Sequence, residues 1–166
     1  MTTPLRIGFI PLCDAAALIV AVDKGFVRDE GLDVTLVREV SWSNVRDKLN
    51  IGLFDAAHLL APVAIASSLG LGHVKVPITA AFNLGLNGNA ITVSTQLFRE
   101  MQAAARGGAL DSPAAAGNAL AAVIAKRSAP ATLGMVFPFS SHNFDLRYWL
   151  AAAGVHPDRD VRLVAI

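Results

Sequence analysis

Apolar and polar positions along this chain repeat with period 2 in some stretches and with the helical period in others. The switches between them divide the first half into strands and helices. Leu5 to Ile10 is a short apolar run with β-branched residues that ends at Pro11, which predicts a strand. Asp14 then stands where a helix cap would, opening a predicted helix that runs to Lys24 and stops at Gly25. Leu32 to Val37 alternates as a strand, and Ser41 or Ser43 caps a helix to about Asn50. Ala56 to Leu60 reads as a short buried strand, with a helix from Pro62 to Leu69 behind it and a further strand from Val76 to Phe82. Strands alternating with helices of this length predict an α/β fold, a mostly parallel sheet flanked by helices on both faces.

The pattern changes at Asn83-Leu-Gly-Leu-Asn-Gly-Asn89, a stretch dense in turn residues that reads as a crossing between two lobes, 1–88 and 89–166. Beyond it the sequence predicts a strand from Ala90 to Ser94 and a helix from Thr95 to Arg106 that ends at Gly107-Gly108. An alanine-rich helix from Ser112 to Lys126 follows, with Pro113 suited to its first turn. Strand Thr132 to Phe137, helix Ser141 to Ala153 and strand Val161 to Ile166 complete the reading. A buried strand normally runs on into a turn and a helix. The expectation is therefore that the second lobe is incomplete, and that its open strand edges promote association, including a homodimer.

Composition narrows the function classes. With 54% hydrophobic and 16% charged residues, the 166-residue chain can bury a substantial core. The formal net charge is +1, from 14 basic and 13 acidic residues scattered without runs, so neither a nucleic-acid surface nor a polybasic membrane patch is predicted. The longest apolar run, Ala15 to Val22, is too short to cross a bilayer. Cys13 is the single cysteine and reads as a small core residue. No clustered Cys/His spacing predicts a metal site, and no cofactor motif is present. Without a basic, apolar and small-residue leader, the start of the chain predicts a cytoplasmic protein, or a periplasmic one if a signal was removed.

The candidate chemistry lies in two segments, Ser41-Trp-Ser-Asn-Val-Arg-Asp47 and Phe137-Pro-Phe-Ser-Ser-His-Asn143. Each sets small hydroxyl residues and one ring side chain where a helix begins. The first N–H groups of a helix lack internal partners and the helix dipole favours negative charge there, so both are natural anion sites. Two such starts predict a small oxyanion gripped between two lobes.

Together with Ile7-Gly-Phe-Ile-Pro-Leu12, Asp23-Lys-Gly-Phe26, Phe54-Asp-Ala-Ala-His-Leu-Leu-Ala-Pro62, Asn87-Gly-Asn89 and Phe137 to Leu150, these segments resemble the nitrate and bicarbonate solute-binding proteins of ABC transporters. The resemblance covers nearly the whole chain and is greatest to the cytoplasmic nitrate/nitrite sensor branch. It implies a type II periplasmic-binding-protein-like fold that closes on its ligand, and a longer chain whose returning segments carry a cationic residue for the anion. The implied ligand is nitrate or nitrite, with bicarbonate as the alternative. The implied partner is either an RNA-binding antiterminator or an ABC permease. Carried over by position, the ligand residues are Trp42, Asn89 and His142, with Ser140 and Ser141 beside them. Asn89 stands where nitrate binders carry glutamine, and Ser140 where glycine is common.

Each of these residues also has a plainer reading. Trp42 either stacks on a planar anion or anchors helix to sheet. Asn89 is either an amide donor or a turn residue, and His142 either donates to an oxyanion or is structural. Ser140 and Ser141 include one ordinary helix cap. Arg46 and Asp47 read as a solvated or bracing pair, Asp14 as a cap, and His58 as a satisfied core or supporting histidine. His73 and His156 read as turn residues without partners, and Arg147 to Trp149 as helix packing. No nucleophile elbow, Walker loop or dinucleotide fingerprint is present. The reading is a binding protein, not an enzyme. A relative of the thiamine-pyrimidine synthases, which share the outline but need a histidine cluster, is the remote alternative.

Overall fold

The computed structural model describes residues 2–72 and 74–166 and divides into two units, one up to Asn87 and one from Gly88. In the first unit, β1 (Thr3–Phe9) is followed by a 3-10 turn (Cys13–Ala15), α1 (Ala16–Asp23) and a one-turn α2 (Phe26–Asp29). Then come β2 (Leu32–Arg38), α3 (Trp42–Asn50), β3 (Ala56–Ala57) and α4 (Ala61–Leu69). The strands pair in parallel in the order β2-β1-β3, with Ile7 beside both Leu36 and Ala56. Ala15, Val45, Phe54, Val63 and Ala66 are buried in this unit.

Local chemistry explains the element ends. Ser41 caps α3, its hydroxyl accepting from the Asn44 N–H at 3.1 Å. Glu39, buried just past β2, is paired by Lys48 of α3 at 2.5 Å, which ties that helix to the sheet end. Helix α4 begins with proline in its first turn and ends at Gly70, whose φ of 75° suits the left-handed cap position. Gly8, in the central strand, leaves room for the Phe54 ring: a Cβ there would lie 2.3 Å from Phe54 Cε2.

The second unit holds α5 (Thr95–Ala104), α6 (Pro113–Ile124), β4 (Ala131–Met135), α7 (Ser141–Ala152) and β5 (Val161–Ala165). Serine hydroxyls cap all three helices, Ser94, Ser112 and Ser140. β4 and β5 pair in parallel, and Met101, Leu120, Val123, Leu146, Leu150 and Val161 form the core between helices and sheet. Trp149 donates from its indole to the Pro113 carbonyl at 2.7 Å, bracing α7 against the start of α6, while neighbouring Tyr148 is exposed.

Several expectations need correction. Val76 to Phe82 is not a strand. Its backbone is held by α4 instead: the Val76 N–H donates to the Ser67 carbonyl, the Ser67 hydroxyl to the Val76 carbonyl, and the Ile78 N–H to the Ser68 hydroxyl. Ala90 to Ser94 likewise forms no strand, and Ser94 is spent as the cap of α5. The third strand is only two residues long. Cys13 is exposed, not a core residue. No helix among the described residues is long and apolar enough to cross a membrane.

Candidate functional site

In the second unit, the chain enters α7 through Ser140, which is fully buried. Its hydroxyl accepts from the Asn143 N–H at 3.1 Å and donates to the Phe137 carbonyl at 2.6 Å. Ser140 is thus the structural cap. Ser141, next along, is exposed, and its hydroxyl makes no hydrogen bond among the described residues. Among the described residues the N–H groups of Ser141 and His142 have no acceptor, as a helix start offers none within the helix. The first unit repeats this arrangement at α3, where Ser41 satisfies Asn44 and the N–H groups of Trp42 and Ser43 stay open among the described residues.

His142 and Asn89 come together on the wall of one cavity of about 540 Å³, built by α5, α6 and α7. Its lining is apolar at Val93, Phe98, Met101 and Trp149 and polar at Asn89, Asp111, Ser112, His142 and Asp145. His142 Nδ1 is sealed from solvent without a partner among the described residues, so a molecule in the cavity can meet this ring only at Nε2. Asn89 is partly committed: its amide donates to Asp145 Oδ2 at 2.7 Å. Asp145 lies one helical turn after His142, on the same face. The sequence reading missed it, although that spacing was the signal available. Two carboxylates and no lysine or arginine line this cavity, so its anion-binding capacity rests on imidazole, amide and helix-start donors.

A second cavity in the same unit, about 710 Å³, contains Arg147, Arg159 and Arg162 but none of the expected ligand residues. Two of those arginines are paired, Arg147 with Asp158 at 2.6 Å and Arg159 with Asp160 at 2.8 Å. His156, expected to lack partners, accepts at Nδ1 from the Asp158 N–H at 3.2 Å, while its own N–H donates to Asp160 at 2.8 Å.

Trp42 is buried, only 6% exposed, and meets the ring of His58 edge-on at 5.1 Å and 72°. Its indole N–H makes no hydrogen bond among the described residues, and it is not one of the sealed, unpaired atoms. Asp14 is not a helix cap. The turn it occupies has no side-chain cap, and its carboxylate lies 3.1 Å from His58 Nε2. Arg46, largely covered, pairs with Asp47 at 2.7 Å. His73 lies outside the described residues.

Known proteins resemble this chain throughout. The nitrate/nitrite binding protein NrtA of Nostoc sp. (strain PCC 7120) is 37% identical over 170 residues, covering 99% of this chain and 36% of NrtA. The bicarbonate transport ATP-binding protein CmpC of Synechocystis sp. (strain PCC 6803) is 38% identical over 166 residues, covering 98% of this chain and 23% of CmpC. The crystal structure of the periplasmic nitrate-binding protein NrtA from Synechocystis PCC 6803 superposes with a TM-score of 0.79 at 30% identity. That match covers 99% of this chain and 42% of the solved one. The chain thus spans little more than a third of the NrtA it matches, and the solved relative agrees with the expected periplasmic-binding-protein fold. The NMT1-like family matches residues 1–166, and the chain belongs to that family.

Proposed function

We propose that this chain is part of a solute-binding protein that takes a small oxyanion, nitrate or nitrite, and works with a membrane permease and its ATP-binding component. The observation that carries the reading is the start of α7. There a buried serine cap leaves two N–H groups open beside His142, and His142 shares a cavity with Asn89. In the first unit, Trp42 stands at a like helix start, beside the open N–H groups of α3. The names of the relatives support a transport component. Hydrogencarbonate is the alternative ligand, supported by the likeness to CmpC. On this reading the protein changes conformation and catalyses nothing, and its setting is the periplasm. The sensor form, cytoplasmic and paired with an antiterminator, would instead show anion-dependent capture of that partner.

The experiment is calorimetric titration of the purified chain with nitrate, nitrite and hydrogencarbonate, with His142→Ala alongside. Binding that the substitution weakens at least tenfold supports the reading and ranks the three anions. A folded wild-type chain that gives no heat with any of them refutes the reading for this chain.

A further inference from the structure

The order β2-β1-β3 means that the chain leaves the central strand to one side and returns on the other. In open parallel sheets, ligand crevices form outside the carboxyl ends of the strands where the order reverses. Three residues of the first unit follow the carboxyl ends of these three strands. Asp14 comes after β1, Trp42 after β2, and His58 directly after β3. They form one connected group, with Asp14 Oδ2 3.1 Å from His58 Nε2 and the His58 ring edge-on to the indole.

His58 is a poor choice if it serves packing alone. It is 3% exposed, and its Nδ1 is sealed with no partner among the described residues. An apolar ring of the same shape would fill the space without burying an unpaired polar atom. What a histidine adds is Nε2, which lies 3.1 Å from an Asp14 carboxylate oxygen. A carboxylate can only accept, so this proximity favours the tautomer with the proton on Nε2 and restrains the ring. The backbone is fixed as well, since the His58 N–H donates to the Gly8 carbonyl at 2.9 Å.

We propose that Asp14 and His58 are positioning residues for Trp42: Asp14 holds the imidazole, and the imidazole sets the plane of the indole and hence the direction of its free N–H. This rests on the reading of Trp42 as an anion-contacting residue. Asp14 is the group to vary, because its side chain is 44% exposed and joins the group through His58.

The test labels the whole chain with 5-fluorotryptophan, giving one ¹⁹F resonance each for Trp42 and Trp149, assigned with Trp42→Phe. Asp14→Ala should shift or broaden the Trp42 resonance, leave that of Trp149 in place and weaken nitrate binding about tenfold. Asp14→Asn keeps an acceptor oxygen and should stay near wild type in both readouts. An unmoved Trp42 resonance in folded Asp14→Ala overturns the proposal, as does a moved resonance with unchanged nitrate affinity. If the wild-type chain binds no anion at all, the oxyanion reading falls. The fluorine spectra then still decide whether Asp14 orients Trp42.

Discussion

Single side chains in the second unit carry opposing roles within a few residues of one another. Ser140 is a cap with both sides of its hydroxyl in use, so Ser140→Ala removes the acceptor for the Asn143 N–H and leaves a buried backbone group unpaired. It should cost about 0.5–2 kcal/mol of stability by urea unfolding. Asp145 acts against an anion. Its carboxylate lines the cavity that holds His142, so Asp145→Asn should strengthen nitrate binding by on the order of 1 kcal/mol, roughly fivefold, in the same calorimetric titration. A weaker or unchanged affinity would place the anion away from this cavity. Asp160 sets an acid limit. Its hydrogen bond from Arg159, and then the one from the His156 N–H, lower its carboxyl to about 2. A carboxyl lowered in the folded state stabilises above its unfolded value, near 3.8, and loses that stabilisation as pH falls through the folded value of about 2. Between pH 4 and pH 2 the thermal midpoint of the wild type should therefore drop more than that of Asp160→Asn.

Elements were legible where the signal was local. The helices at Trp42–Asn50, Pro113–Ile124 and Ser141–Ala152 were marked by a serine before them, in one case with proline at the first position, and each begins where that chemistry places it. β1 was legible from its β-branched apolar run and β2 from its alternation. The segments at Val76 to Phe82 and Ala90 to Ser94 had the same apolar composition, but a strand needs a partner that no local pattern specifies. Among the described residues the backbone groups of Val76 and Ile78 bond to Ser67 and Ser68 instead, and Ser94 is taken up by the start of α5. The site divided the same way. Helix-start chemistry at Trp42 and His142 could be read from neighbours in sequence. The Asp14–His58 contact and the Asn89–Asp145 bond, 56 residues apart, depend on tertiary structure. Gly8 is a further case, since its lack of a side chain matters only because Phe54 packs across it. Gly8→Ala should cost about 1–3 kcal/mol by overpacking. If the clash with the Phe54 ring is the cause, Phe54→Leu should restore part of that loss in the double variant; a loss unaffected by Phe54 would put the cost in the β1 backbone.

At the scale of the whole chain, the balance between buried and open surface decides behaviour in solution. Each parallel sheet described is small, three strands in one unit and two in the other, and in each the outer strands present unpaired edges. Large apolar side chains are exposed as well, with Val40 at 85%, Leu86 at 79%, Phe82 at 78% and Ile166 at 90%. With a net charge of only +1, little electrostatic repulsion opposes contact between copies. Open edges, apolar groups and near-neutral charge all act in the same direction, towards association. The weight-average mass by multi-angle light scattering should therefore rise with concentration above that of the 17.4 kDa monomer. Replacing Phe82 and Ile166 together with lysine should lower that rise without changing the circular dichroism spectrum, because neither side chain is buried in the fold. A monodisperse 17.4 kDa species across the same concentration range would mean that these edges and side chains are too scattered to form an interface.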